Sequence, residues 1–295
     1  MVRNMQKSHV FLLLLILGTA FWGVSFSFVK VGVADGSPYV FLTYKFALAA
    51  IVLAVLFAKR FNRLNRKTIV AGALIGLPLL LGNVFQTIGL QHTSVTNTAF
   101  ITGLDVLLIP LFKWGLFRKP VQNRIWISCS IALFGLYLIV AQYGLHLNVG
   151  DLWTMACAVF FACYVMAVGY FSHRCDAMLT VTIAMTVCSL GSGLAALFDK
   201  EAVWMPSDTH FWEGILFAGM LGTAYMYSIQ SSAQRYLEEE KVALAYLCEP
   251  IFAAIAGMIM LGEPLSLRTM AGGGLILIAL VVAELDFKRL QPRDA

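Results

Sequence analysis

The chain has 295 residues, of which 60% are hydrophobic and only 13% are charged. A soluble globular domain carries about 25% charged residues and about half apolar ones, so an ordinary water-soluble fold is excluded. Apolar runs of about 20 residues, each long enough to cross a hydrocarbon core about 30 Å thick, recur along the whole sequence. The composition therefore predicts an all-α membrane protein whose solvent is lipid.

Charged residues and turn signals divide the sequence into ten predicted transmembrane helices. The first follows a short basic leader, but its apolar stretch is too long for the core of a signal peptide, so we interpret it as a retained helix. The connections between spans are short, and none resembles a linker. In chain order the spans cover residues 10–34, 38–58, 68–91, 94–117, 124–142, 150–172, 177–198, 209–235, 241–261 and 267–286.

The basic residues test this count because cytoplasmic loops retain Lys and Arg. With the N-terminus inside, 16 of the 21 basic residues fall on inner segments, and only Lys200 and Arg268 fall on outer ones. The other three, Lys30, Lys45 and Lys113, lie within spans. This bias predicts a multi-pass protein of the cytoplasmic (inner) membrane with both termini cytoplasmic.

Several function classes have no support in the sequence. The six cysteines mostly lie in apolar runs and never form a Cys-x-x-Cys pair, so neither a disulfide framework nor a metal site is expected. The net charge of +5 comes from basic residues at helix borders rather than in one patch, which argues against nucleic-acid binding. No Walker-type or dinucleotide-binding loop occurs, so we expect no cofactor and no ATP drive within this chain.

The two halves of the sequence repeat weakly but in the same order, which predicts two five-helix repeats, residues 1–142 and 143–295. Because five crossings end on the opposite membrane face, the second repeat must insert upside down. Inverted repeats place a binding site near the midplane between the halves, here between spans 1–4 and 6–9. With a shift of 140 residues the matching pairs are Gly82 with Gly222, Leu104 with Leu244, Leu107 with Leu247, Pro110 with Pro250 and Phe112 with Phe252, while Phe21-Trp22 falls beside Phe160-Phe161 with a shift of 139.

Two acids lie near mid-depth in the predicted spans, Asp105 in span 4 and Glu249 in span 9. A charge at the centre of a membrane helix costs at least about 2.5–3.5 kcal/mol, so such a residue is expected to face a cavity or a partner. The repeat alignment pairs Glu249 with Ile109, one helical turn from Asp105. The two acids are therefore predicted to occupy equivalent faces of related helices, and we favour a functional role for both over a packing role.

Other polar side chains extend these faces at helical spacing and predict one aqueous, partly aromatic pocket. The alternative is that hydroxyls and amides only join packed helices, which is common in membranes. Lys30 and Lys113 lie near span ends and are expected to snorkel to the interface. Lys45 lies deeper and is either a partner for one acid or a substrate contact. The polar stripes are Trp22 and Ser25 on span 1, Asn83 and Gln86 on span 3, Thr98, Thr102 and Asp105 on span 4, Thr223, Tyr227, Gln230 and Gln234 on span 8, and Tyr246 and Glu249 on span 9.

Two prolines interrupt the helices that carry the acids. Pro110 and Pro250 each lack a backbone N–H and so free the carbonyls of Val106 and Tyr246, close to the acids. Such breaks are tolerated where a helix lines a cavity. The sequence leaves open whether each proline is a static kink or a moving hinge.

Five short motifs distributed over the whole chain are Leu17-Gly18-Thr19-Ala20-Phe21-Trp22-Gly23, Ile101-Thr102-Gly103-Leu104 through Ile109-Pro110-Leu111, Gly150-Asp151, Glu249-Pro250-Ile251-Phe252 and Leu261-Gly262-Glu263-Pro264. Together they resemble the EamA-type family of the drug/metabolite transporter superfamily. Membership implies ten helices in two inverted five-helix repeats and export or exchange of small metabolites, often amino acids, by alternating access. One departure is Arg118-Lys119-Pro120 in the first half where the second has Gly262-Glu263-Pro264.

These features together predict a secondary transporter rather than an enzyme, acting on a small-molecule substrate in the lipid bilayer as a monomer or homodimer. Glu249, with Asp105, is expected to bind a proton or the amine of the substrate. Aromatic side chains would add stacking or cation–π contacts worth roughly 0.5–2 kcal/mol each. The aromatic candidates are Trp22, Phe85, Tyr225, Tyr227 and Tyr246.

Three other functions are weaker interpretations of the same residues. Within the same architecture the chain could export quaternary cations or drugs. A membrane-embedded enzyme would use Asp105 and His92 as acid and base, but no nucleophile motif accompanies them. A structural or partner-binding membrane protein is disfavoured because the short loops offer little surface to a soluble partner.

Overall fold

The computed structural model describes residues 2–33, 36–93, 95–141, 148–252, 255 and 266–284. Within these ranges the chain is helical and contains no strand, so the all-α prediction is confirmed. A 3₁₀ turn, Ala58–Arg63, and a π-helix, Ala218–Tyr225, accompany the α-helices. The α-helices are α1 (Val2–Gly32), α2 (Pro38–Leu56), α3 (Arg66–His92), α4 (Val95–Thr102), α5 (Asp105–Gly115), α6 (Asn123–Ala141), α7 (Val149–Ser172), α8 (Ala177–Leu197), α9 (Thr209–Phe217), α10 (Met226–Ala233), α11 (Glu239–Tyr246) and α12 (Leu267–Glu284).

Five helices are long and apolar enough to cross a membrane by length and composition, and these are α1, α2, α3, α7 and α8. Shorter apolar stretches lie in α6 and α12. These seven helices correspond to predicted spans 1, 2, 3, 5, 6, 7 and 10. The total of ten crossings stays a prediction, since much of span 9 lies outside the described residues.

Short polar residues start the helices at the predicted turns. The Ser37 side chain caps α2, which begins with Pro38 at its first position. Asn148 and Asp151 form a reciprocal capping box at the start of α7, each accepting a hydrogen bond from the other's backbone N–H. Asp176 caps α8 by accepting from two backbone N–H groups. These caps begin each helix at the polar border of an apolar run.

The predicted spans 4 and 9 are both interrupted, which corrects the expectation of one continuous polar stripe on each. A turn at residues 103–104 separates α4 from α5, and a turn at residues 247–248 follows α11 before the helix resumes at Glu249. Both turns tighten to i→i−3 hydrogen bonds: Leu104 N to Ile101 O is 3.2 Å, and Cys248 N to Ala245 O is 3.1 Å. The second half of span 9, including Gly262-Glu263-Pro264, lies outside the described residues.

Span 8 is also irregular, because the π-helix separates α9 from α10. The Thr223 hydroxyl donates to the carbonyl of Ala218, five residues earlier, at 2.7 Å. Two glycines in this segment, Gly219 and Gly222, lower its intrinsic preference for the α-helix. A π-helix within an α-helix is rare and is found mostly at functional sites.

The two halves pack mainly against each other and have opposite polarity. In each half the second helix is α2 or α8, and these two run antiparallel. The Ser189 hydroxyl donates to the carbonyl of Thr43 at 3.1 Å, while Arg60, beyond the end of α2, pairs with Asp176 at the start of α8 at 3.0 Å. Because equivalent helices run in opposite directions, the repeats are inverted, as predicted.

Further helix pairs obey the same two-fold relation. In the first pair α3 packs on α7, and in its counterpart the span from α9 to α10 packs on α1. Phe161 of α7 lies on Gly82 of α3, and Trp22 of α1 lies on Gly222 of the π-helix. Each glycine thus provides the flat surface that an aromatic ring of the other half covers.

Candidate functional site

A cavity lies between the two halves, where the interrupted helices meet the π-helix. Its volume of about 90 Å³ holds several water molecules. All nine side chains predicted to bind substrate or proton line it, as does Pro250, whereas Pro110 is buried within α5 and does not. The structure therefore brings these residues together, while the role of each stays a prediction. The nine are Trp22, Lys45, Asn83, Gln86, Thr102, Asp105, Tyr227, Tyr246 and Glu249.

The two acids hold matching positions at the interrupted helices. Asp105 is the first residue of α5, and Glu249 is the first residue after the turn that follows α11. They are thus 144 residues apart in equivalent positions, one helical turn from the register that the prolines gave. Both carboxyl groups line the same cavity. In the part of the chain that the structure describes, no Lys or Arg forms an ion pair with either.

Aromatic rings form one wall of the cavity. The ring of Trp22 lies 5.8 Å from that of Tyr227 and 5.0 Å from that of Tyr246, and Tyr164 lies 5.6 Å from Tyr227. The Trp22 indole N–H donates to the carbonyl of Gly222 at 2.6 Å. An electron-rich wall next to two carboxyls favours a cationic ligand.

Lys45 and the two amides lie on α2 and α3. The Lys45 ammonium donates to Asn83 Oδ1 at 2.9 Å, and Asn83 Nδ2 donates to the carbonyl of Leu79 at 3.0 Å. Gln86 Nε2 donates to the Thr102 hydroxyl at 3.4 Å. Lys45 therefore contacts an amide rather than either acid of the cavity.

Several predicted residues lie elsewhere. Phe85 stacks on Trp153 at 5.4 Å, and the Tyr225 hydroxyl donates to the carbonyl of Leu14 at 3.2 Å, so neither lines the cavity. His92 is exposed at the end of α3, and Thr98 is buried away from the cavity.

Gln230 and Gln234, the C-terminal part of the span 8 stripe, form hydrogen bonds with α7 instead of lining the cavity. Tyr164 donates to Gln230 Oε1 at 2.9 Å, Gln230 donates to Gln234 Oε1 at 3.2 Å, and Gln234 donates to the carbonyl of Val165 at 2.8 Å. Only Thr223 and Tyr227 of that stripe reach the cavity.

The two lysines expected to snorkel make internal contacts. Lys30 donates to the carbonyl of Thr93 at 3.1 Å. Lys113 forms ion pairs with Glu239 at 3.1 Å and with Glu240 at 2.9 Å. The Lys113 side chain bridges α5 and the start of α11, and the snorkelling of both lysines to the interface stays a prediction.

Among the lining residues that the sequence analysis missed, four carry an aromatic ring or a hydroxyl: Phe26, Thr87, Phe161 and Tyr164. Phe161 had a usable signal, since the repeat alignment sets Phe160-Phe161 beside Phe21-Trp22. The other three carry no charge and lie on apolar helices, so nothing in their pattern separates them from packing residues. Within the described residues no cluster of three or more His, Cys, Asp or Glu is placed to hold a metal ion.

The family match decides how this cavity is interpreted. The EamA-like transporter family matches residues 10–141 and again residues 148–284. The chain belongs to the EamA-like transporter family. As in that family, it is a multi-pass membrane transporter with the family unit present twice, which supports the predicted duplication; the boundary between residues 142 and 143 stays a prediction.

Relatives of this EamA-like chain are named as transporters. An uncharacterized transporter of Archaeoglobus fulgidus is 26% identical and covers 92% of this chain and 84% of its own length. The uncharacterized transporter YvbV of Bacillus subtilis is 23% identical, with 97% and 95% covered. A solved crystal structure aligns with a TM-score of 0.76 at 18% identity over 97% of this chain and 99% of that chain, which shows a shared fold.

Proposed function

We propose that this transporter exports or exchanges small amine-bearing metabolites, amino acids first among them, across the cytoplasmic membrane by alternating access. The observation that carries the proposal is the pair of carboxyl groups, Asp105 and Glu249, on two interrupted helices that face one cavity between inverted halves. An acid at this depth is costly to retain without a partner, and a substrate amine or a proton supplies one.

The aromatic wall supports a cationic group on the substrate. Trp22, Tyr227 and Tyr246 lie against one another next to Glu249. An amine held by a carboxyl and flanked by these rings gains both a charge-assisted hydrogen bond and cation–π attraction. The hydroxyl of Tyr246 is buried without a hydrogen-bond partner in the described part of the chain.

The position of the cavity fits one half of an alternating-access cycle. Lining residues Phe26, Val29 and Leu90 lie toward the C-terminal ends of α1 and α3, which face outward if the N-terminus is cytoplasmic. Toward the other side, the network from Tyr164 to Gln234 joins α7 to α10. Transport would require the two halves to move so that the closed end of the cavity opens and the open end closes, while the binding site stays in place.

The proposal is tested by flux in proteoliposomes after a thermal-shift screen of amines, amino acids and nucleoside-like metabolites. A ligand that binds only the folded state raises the melting temperature. With a labelled amino acid that does so, Glu249→Gln should lower exchange at least about tenfold, the scale of one lost charge-assisted hydrogen bond, without loss of folded protein. The matched control is Glu201→Gln, in an exposed connection, which should exchange at the wild-type rate. Unchanged exchange by Glu249→Gln would reject the role.

A quaternary cation is the second candidate, because the same rings resemble a cage for such ligands. Choline in the thermal-shift screen separates the two: a shift larger than any amino acid gives would favour the quaternary cation. Lys45, in the same cavity, opposes a ligand with positive charge alone.

A further inference from the structure

Lys45 is a buried cation on the wall of the cavity. Its side chain lies on α2, and the residue is 8% exposed. An ammonium group has three N–H donors. Within the described residues one of these donors has a hydrogen-bond acceptor, Asn83 Oδ1, at 2.9 Å. The ammonium also lies 4.6 Å from the centre of the Phe46 ring. No carboxylate among those residues forms an ion pair with it.

Asn83 fixes where the ammonium group points. Its Nδ2 donates to the carbonyl of Leu79 at 3.0 Å, which orients Oδ1 toward Lys45. Asn83 is 4% exposed, so this amide is held by packing as well as by hydrogen bonds. A cation without a counter-ion at this depth is costly, and membrane proteins retain such groups where a ligand or pathway uses them.

We propose that Lys45, positioned by Asn83, binds a carboxylate on the transported solute. The inference rests on the proposed function, in which Asp105 and Glu249 bind an amine, and it narrows the substrate class to zwitterions such as amino acids. Each charged end of a zwitterion then meets a group of opposite sign. A simple amine leaves Lys45 unpaired, and a carboxylic acid without an amine leaves the two acids unpaired.

Matched sets of three compounds test the proposal in thermal-shift titrations of the purified protein. Each set holds an amino acid, the same molecule without its carboxylate, and the same molecule without its amine. The sets are alanine, ethylamine and propanoate; leucine, 3-methylbutylamine and 4-methylpentanoate; and phenylalanine, phenethylamine and 3-phenylpropanoate. The proteins are the wild type, Lys45→Gln, Lys45→Arg and Lys30→Gln, the last as a control outside the cavity.

We expect the wild type to bind at least one amino acid about 10- to 100-fold more tightly than its amine, the scale of a hydrogen bond to a charged group. Lys45→Gln should abolish that preference without weakening the binding of the amine, whose affinity should stay the same or rise because a like charge is removed. Lys45→Arg should retain most of the preference, because the cation is kept, and Lys30→Gln should match the wild type. This rescue separates loss of the carboxylate contact from a general loss of folding.

The other outcomes distinguish the two proposals. Equal affinity of the wild type for amino acid and amine, unchanged in Lys45→Gln, overturns the carboxylate site and leaves the amine site intact. Binding of carboxylates alone, lost in Lys45→Gln, supports the site at Lys45 and overturns the amine assignment. A wild type that no compound stabilises overturns both.

Discussion

The Tyr246 hydroxyl is expected to contribute to ligand binding but not to the stability of the fold. Its hydroxyl is buried without a hydrogen-bond partner in the described residues, whereas that of Tyr164 donates to Gln230. A buried, unsatisfied polar group costs about 1–3 kcal/mol, so Tyr246→Phe should leave the melting temperature unchanged or raise it. It should also weaken binding of any solute that stabilises the wild type. Tyr164→Phe is the control. It should lower the free energy of unfolding by roughly 1 kcal/mol and therefore lower the melting temperature.

A fall in melting temperature for Tyr246→Phe equal to that for Tyr164→Phe would contradict this distinction. It would mean that the Tyr246 hydroxyl is satisfied within the protein. Its place beside Trp22 and Glu249 would then be a matter of packing rather than of ligand binding.

Single residues were also the most predictable part of the site. Acids, a lysine and amides in apolar spans are costly, so their presence alone marks them. The structure places both acids, Lys45 and two of the amides, Asn83 and Gln86, on one cavity. Phe26, Thr87 and Tyr164 line the same cavity but carry no such signal. The free-energy cost of placing a charged or amide side chain in an apolar span can be predicted from sequence. The direction in which an apolar or hydroxyl side chain points cannot, because it depends on packing between distant segments.

At the level of helices, the interruptions in spans 4 and 9 have different sequence causes at equivalent positions. Pro250 lies two residues after the second turn, where its missing N–H accounts for the break. Pro110 lies six residues after the first turn, too far away to cause it. Gly103, which lies within that turn, weakens the helix there instead. The prolines therefore misplaced the register by one turn, and only the backbone hydrogen bonds show that Asp105 and Glu249 are equivalent. The π-helix was likewise unpredictable, because its carbonyl acceptor serves Trp22, 200 residues away.

Lys113 joins α5 of the first half to α11 of the second by forming ion pairs with two acids, Glu239 and Glu240. Its side chain is 18% exposed, and that of Glu240 is 2% exposed. Lys113→Gln leaves two neighbouring acids without a counter-ion and should destabilise the protein by about 1–3 kcal/mol. The melting temperature in detergent measures this, and adding Glu239→Gln and Glu240→Gln to the same chain should restore part of the loss.

The pair of Arg60 with Asp176 provides the comparison, because Arg60 is 46% exposed. An exposed ion pair contributes little, so Arg60→Gln should change stability by less than about 1 kcal/mol. Equal losses for Lys113→Gln and Arg60→Gln would show that burial adds nothing to the Lys113 cluster. Failure of the triple variant to recover would show that Lys113 acts through packing of its stem rather than through its charge.

At the scale of the whole molecule, inverted halves that pack against each other are the arrangement that the proposed alternating access requires. The antiparallel pair α2 and α8 lies across the two-fold relation between the halves. The contacts of Phe161 on Gly82 and of Trp22 on Gly222 are exchanged with each other by the same relation. Equivalent positions need not tolerate the same change, however, because the two aromatic residues differ.

Substitution of the two glycines by alanine measures that asymmetry. A Cβ at Gly82 would lie 2.6 Å from ring carbons of Phe161, whereas at Gly222 the nearest atoms are the Ser25 hydroxyl at 3.4 Å and a Trp22 ring carbon at 3.5 Å. Gly82→Ala should therefore cost about 1–3 kcal/mol through overpacking, while Gly222→Ala should change stability by less than about 1 kcal/mol. The melting temperatures of the two variants compare the costs. Adding Phe161→Leu to Gly82→Ala should recover part of the loss, since the smaller side chain removes the clash; a loss that persists would place the strain in the backbone of α3 rather than at the interface between the halves.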